Sequence, residues 1–460
     1  MAQAAHARIA CMIGNQSTVK HGFDVGCMPA LPDQSRIDRL FNRVSWRIVP
    51  FLCLSVFVAY IDRVNVSFAK LQMNGELHLS EAAYGLGAGL FFLGYILFEI
   101  PSNLALQKTG ARVWLARIMI TWGLATALMW FVSGATSFCL LRFVLGVAEA
   151  GFVPGALFYL GQWLPARKRG RVIALFMVGM PLSSVIASPL SGAILAYMSG
   201  FAGVSGWRWL FFIEALPPVL LGVWALAFLP DHNRAVPWLS EEERHIIKNE
   251  IEKEQDKIEN DDHSLLSVFT DKNIWLIGFI DGAILLLLYT VAFWFPSMLH
   301  ARGITNPMTI GFITVLPHLC AVVSMLVNGW HSDKSGERVW HVAIPAILAA
   351  VFLSLATIPS LSLSLLVACV VVANACVLAA LPPFWCIPTQ YLEGGKAAPG
   401  LALATSIANT AGFFSTSAVG FALQLTGSIG GVMLTFAGIM MIAVCGVFFL
   451  PKGSKNFSKK

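Results

Sequence analysis

Apolar runs long enough to span ~30 Å as helix recur about twelve times along this chain. They fall at 45–69, 83–106, 112–133, 138–163, 171–198 and 208–230. After a polar gap they resume at 274–298, 308–331, 340–358, 361–388, 398–422 and 428–450. Inside lipid a backbone must satisfy its own polar groups, so runs this long and continuous predict helices rather than barrel strands. The run at 361–388 exceeds a straight crossing and predicts tilt or a break. Composition agrees: 57% of residues are hydrophobic and only 12% charged, where a soluble domain carries roughly 25%. Mean hydropathy is +0.71. The expectation is an all-α membrane protein of twelve transmembrane helices in two six-helix halves.

The polar gap defines the organisation. Residues 1–43 lack the continuous apolar core and cleavage site of a secretory signal and predict a disordered tail, with Met28 a candidate for the true start. The first half covers 44–230, a central loop 231–272, the second half 273–450, and a short tail 451–460. Within the central loop Ser240 and Glu243 fit a capping box. Ile246, Ile247, Ile251 and Ile258 follow as a sparse apolar stripe, so a surface helix is expected. Lys and Arg gather in alternate short loops: Arg36, Arg39 and Arg43; Lys108 and Arg112; Arg167 to Arg171; Lys334, Arg338, Lys396 and the last lysines. That bias puts both termini in the cytoplasm. It also accounts for the net charge of +6 without an acidic partner or nucleic acid.

Against this background a few charged residues fall inside apolar runs, where each costs at least ~2.5–3.5 kcal/mol and is a functional candidate. Asp62 and Arg63 lie side by side in VAYIDRVNVSFA. Adjacent helical residues differ by about 100° in direction, so the two need not neutralise each other. Arg142 and Glu149 are nearly two turns apart and share one helix face. Gly146, Gly151, Pro154 and Gly155 beside them permit close contact or bending. A pair that merely stitches helices is the competing reading. The nine cysteines form no CxxC and read as small buried hydrophobes. No HExxH, GxSxG or GxxxxGK[ST] occurs, so neither enzyme, cofactor nor metal chemistry is indicated.

The halves echo each other: NLALQKTGAR (103–112) after the second run, GWHSDKSGER (329–338) after the eighth. The second copy, with Gly329, Asp333, Lys334, Gly336 and Arg338, resembles the signature gating loop of the major facilitator superfamily. The first copy departs from it, with Asn103 where Gly is usual and Gln107 where an acid is usual. A finer similarity, from about residue 40 to 450, is to the anion:cation symporter branch and its bacterial tartrate/phthalate-type members. Its carriers are YIDRVNVSFA, GYILFEIPSNL, GARVWLARIMITWG, LRFVLGVAEAGFVPG, WLPARKRGR, SPLSGAIL and GWRWLFFIEALPPVLLG.

The resemblance implies a monomeric secondary transporter of the bacterial inner membrane, importing a small organic anion with protons by alternating access. Exchange or export, and aromatic or sugar acids as substrates, stay open. It assigns proton coupling to Asp62 and Glu149, and the anion to Arg63 and Arg142. Tyr95 and Asn409 match ligand-contacting positions. Tyr60, Asp281, His318 and Trp385 are weaker candidates. Glu99 and Glu214, each shortly before a proline, read as structural.

Overall fold

The computed structural model describes residues 34–230, 236–259, 268–392 and 397–450. Met28, the C-terminal lysines, Lys396 and residues 231–235 and 260–267 of the central loop lie outside them. The chain divides into two compact units, Met1–Leu40 and Phe41–Lys460.

All regular structure among the described residues is helical. Helix α1 (Gln34–Glu76) includes residues 34–43 of the expected tail. Then come α2 (Glu81–Thr109), α3 (Ala111–Leu128), α4 (Ala135–Glu149), α5 (Phe152–Trp163), α6 (Ala166–Tyr197) and α7 (Gly206–Phe228). The central helix is α8 (Glu241–Glu259). It is followed by α9 (Lys272–Ala301), α10 (Pro307–Ser335), α11 (Val339–Leu355), α12 (Leu363–Tyr391), α13 (Ala397–Thr426) and α14 (Gly430–Val447). Ten spans are long and apolar enough to cross a membrane, α4 and α5 forming one of them. The shorter α11, of 17 residues, and the 30-residue α13 occupy the two remaining places of the expected series of twelve.

Local chemistry fixes the ends. Ser80, Asn306 and Ser362 cap α2, α10 and α12 through their side chains. The capping box of α8 is reciprocal: Glu243 N donates to Ser240 Oγ at 3.2 Å and Ser240 N to Glu243 Oε2 at 3.0 Å. Ile246, Ile247 and Ile251 are buried along that helix. The fourth run breaks at Gly151, whose φ of +83° starts α5, while α12 runs unbroken through Pro382, Pro383 and Pro388.

Packing repeats across the sequence: α2 lies on α4 and α3 on α7, just as α10 lies on α12 and α11 on α14. The two sets meet along α2–α13 and α6–α10. These seams are lined by glycines. A Cβ on Gly85 would come within 2.6 Å of the Thr416 carbonyl, and one on Gly311 within 2.5 Å of Ser188 O. Outward-facing leucines such as Leu220 and Leu425 stay exposed, as a lipid-facing surface requires.

Candidate functional site

The four intramembrane charges expected from the sequence converge inside the first six helices, in an arrangement their spacing alone does not specify. Gly94 and Gly146 let α2 and α4 touch backbone to backbone: a Cβ on Gly146 would sit 2.0 Å from Phe91 O. That approach brings Phe91 and Tyr95 against the charged face of α4.

Arg63 does not pair with its neighbour Asp62. Its Nε donates to Glu149 Oε1 at 2.8 Å, and its Nη2 reaches the same oxygen at 2.6 Å. Glu149 ends α4, immediately before the break, and is 1% exposed; its Oε2 has no hydrogen-bond partner. The Arg63 guanidinium lies among three rings, 5.1 Å from Tyr60, 5.1 Å from Tyr95 and 5.7 Å from Phe91. Rings present a negative face to a cation, so they hold the fork in place without neutralising it.

Arg142 is fully buried, and its Nε, Nη1 and Nη2 all lack hydrogen-bond partners. Its guanidinium stands 4.9 Å from the Phe91 centroid, so one ring lies beside both arginines. Asp62 takes its hydrogen bonds elsewhere. Its Oδ1 accepts from Asn65 Nδ2 at 2.8 Å and its Oδ2 from Thr126 Oγ1 at 2.6 Å, across on α3.

The last six helices contribute differently. Tyr289 of α9, which the sequence reading missed inside LLLLYT, packs 4.6 Å from Phe92 and lies in electrostatic reach of Arg63, Glu149 and Asp281. A hydroxyl-bearing ring at the end of an apolar run was its signal. Asn409 is half-buried on α13 and makes no hydrogen bond to the Arg63–Glu149 pair. Asp281 and His318 are buried with Oδ1 and Nδ1 unpartnered, and neither joins the ion pair.

In the loop between α10 and α11, Gly336 takes φ +67° as the helix cap, and Arg338 bridges Asp333 at 2.7 Å. Lys334 instead lies 5.2 Å from the Trp330 ring. Gly329 is not needed for close packing, since an added Cβ would meet Pro382 at an ordinary 3.6 Å. Glu337 accepts from the Trp340 and His341 amides and contacts the His341 ring at 2.7 Å. Burial pushes its carboxyl up, but these bonds outweigh it and hold Glu337 below the usual range.

A family model for the Major Facilitator Superfamily matches residues 52–420, most of the chain. The chain belongs to the Major Facilitator Superfamily. It is a multi-pass membrane transporter and not an enzyme. NicT of Pseudomonas putida, named as a metabolite transport protein, is 43% identical over 95% of this chain and 98% of its own length. An Agrobacterium vitis protein named for tartrate transport is 44% identical over 90% of this chain and 95% of its own. Among solved folds, the inward-open xylose transporter XylE of E. coli superposes with a TM-score of 0.71 at 14% identity. That match covers 90% of this chain and 98% of XylE. In a superfamily transporter the substrate sits between helix repeats near the bilayer midplane, and Arg63, Glu149 and Arg142 are buried within the helical bundle.

Proposed function

We propose that this transporter is a proton-coupled symporter importing a small organic anion, a tartrate- or phthalate-like carboxylate, across the inner membrane as a monomer. The observation that carries this reading is Arg142: a guanidinium buried without a hydrogen-bond partner is costly, and a carboxylate bound in two bonds is its natural complement. Similarity to a protein named for tartrate transport supports the substrate class.

Coupling follows from competition. Arg63 donates twice to one oxygen of Glu149. A proton on Glu149 weakens that pair and frees the Arg63 fork. Arg63 and Arg142 then present two positive groups around Phe91 to the incoming anion. Without the proton, Glu149 occupies Arg63 and repels the anion. Each ligand therefore favours the other, the reciprocity symport needs. Rocking of the two six-helix sets would carry the loaded site across, the Asp333–Arg338 loop opening and closing with it.

The cytoplasmic placement of both termini is supported by the scarcity of Lys and Arg on the opposite face, where Lys70, Arg208 and Arg302 are the described ones. Lys70 pairs with Glu81 at 2.6 Å, Arg208 pairs with Glu76, and Arg302 Nη1 donates to Leu361 O.

The test is uptake of labelled tartrate, phthalate, 4-hydroxyphenylacetate and galactonate into proteoliposomes, with and without an inward proton gradient. Accumulation of one of them that requires the gradient, and is lost in Glu149→Gln while exchange persists, is expected. Gradient-independent equilibration unchanged by the substitution would make the protein a facilitator and Glu149 a structural residue.

A further inference from the structure

Asp62 is one end of a buried chain of polar groups that the coupling scheme leaves unused. Asn65, one turn along α1, is 1% exposed, and beyond it stands Glu214 of α7, 4% exposed and within hydrogen-bonding reach of the Asn65 amide. Ser191 of α6 completes the chain, its Oγ donating to Glu214 Oε1 at 3.0 Å. The sequence suggested a structural role for Glu214.

The donors can be counted. Both Asp62 oxygens are acceptors, one from Asn65 Nδ2 and one from Thr126 Oγ1. Glu214 Oε1 accepts from Ser191. Two atoms of the chain remain without partners, Asn65 Oδ1 and Glu214 Oε2. As a carbonyl and an ionised carboxylate, both would be acceptors facing a dry interior, an arrangement that costs each its desolvation. A single proton on Glu214 Oε2, donated to Asn65 Oδ1, would satisfy both. Charge gives the same result: Asp62 is the charged group acting on Glu214 among the described residues, and two carboxylates sharing a dry site do not both ionise. Asp62 also feels Glu149 and Arg142, whereas no cation acts on Glu214 among the described residues.

We infer that Glu214 is a second proton-binding residue of this transporter, and that the Asn65 amide decides whether it or Asp62 holds the proton. An amide is nearly the same shape after a half-turn about its last bond. In one setting Nδ2 serves ionised Asp62 and Oδ1 takes the hydroxyl of Glu214. In the other, Oδ1 takes a hydroxyl on Asp62 and Nδ2 serves ionised Glu214. The proton leaves one carboxyl oxygen and binds the other, so one proton and one negative charge are conserved. This rests on the proton-coupling reading for its purpose but not for its detection.

Infrared absorption of the purified protein in lipid tests it, through the carboxylic-acid C=O stretch that carboxylates lack. The expected result is a component lost in Glu214→Gln and shifted in frequency in Asn65→Ala, where the proton loses its acceptor. A Glu214→Gln spectrum superposing on wild type would overturn the assignment. In proteoliposomes, Asn65→Ala should move the pH midpoint of substrate counterflow by about one unit; an unmoved midpoint would remove the amide from the relay. If wild type accumulates substrate without a gradient, the coupling reading fails, while the infrared result still decides where the proton sits.

Discussion

The first and last six helices pack alike but carry different interiors. In the first set, Asp62, Arg63, Arg142, Glu149 and Glu214 lie in the interior, and Asp62, Arg63, Glu149 and Glu214 each engage one another or a nearby amide or hydroxyl. In the second, Asp281, His318 and Asn374 are equally buried, but among the described residues Asn374 Nδ2 donates to the Pro317 carbonyl at 3.0 Å while Asp281 Oδ1 and His318 Nδ1 have no partner. On the proposed reading, the same scaffold holds chemistry in one copy and shape in the other. A buried charge with alternative partners can switch, whereas a buried amide clipped to a proline-bent helix can only hold.

The largest effect should come from the residue with the least company. Arg142→Gln removes the unpaired fork and is expected to lower substrate uptake roughly 100-fold, the worth of hydrogen bonds to a charged group. Fluorescence-detected size exclusion should show the fold intact. Arg63→Lys keeps a cation but gives up the fork and much of the stacking on Tyr60, Tyr95 and Phe91. A roughly tenfold rise in KM is expected, with a smaller change in maximal rate. Uptake kinetics that match wild type in either variant would dissolve the contrast between the two interiors.

The second set should answer in stability. Asn374→Ala is expected to lower stability by about 1 kcal/mol, read as a fall in Tm, with KM unchanged; a large KM change would promote the second interior to chemistry. The smallest effect concerns the loop after α10. Glu337 is held below the ordinary carboxylate range by its amide and ring bonds. Its contribution is therefore present above that range and lost as pH falls through the lowered value. Hydrogen exchange at Trp340 and His341 should quicken only on that acid side, and Glu337→Gln should show the quicker exchange at neutral pH.

Much of this architecture was legible before any coordinates. Run length gave the helices and Ser240 and Glu243 the start of α8, while Gly146, Gly151, Pro154 and Gly155 were read only as permitting contact or bending where the structure breaks the helix at Gly151. Arg63 and Asp62 were read as independent, and the structure sends them to different helices. Periodicity could not say where they go. It fixes which face of its own helix a residue occupies, while partners are chosen by how helices pack, so Thr126 and Glu214 were invisible as neighbours of Asp62 and Asn65. Tyr289 was hidden for the same reason. In the first copy of the loop motif, Asn103 replaces the usual glycine, and its Nδ2 simply bonds Glu99 O at 2.9 Å within its own helix.

The glycine seams bear on how fast such a machine can run. Along α2–α13 and α6–α10 the two sets come together at points through Cα atoms and backbone, with Gly85 against Gly420 and Gly192 against Pro307. Contact of that kind is broad but has few directional bonds, so parting it forfeits dispersion in small increments. A zip of this sort offers no deep well in which the molecule could stall, and it keeps two arrangements close enough in free energy for a bound ligand to tip them. The same closeness makes it intolerant: one methyl group on Gly85 would wedge the zip ajar.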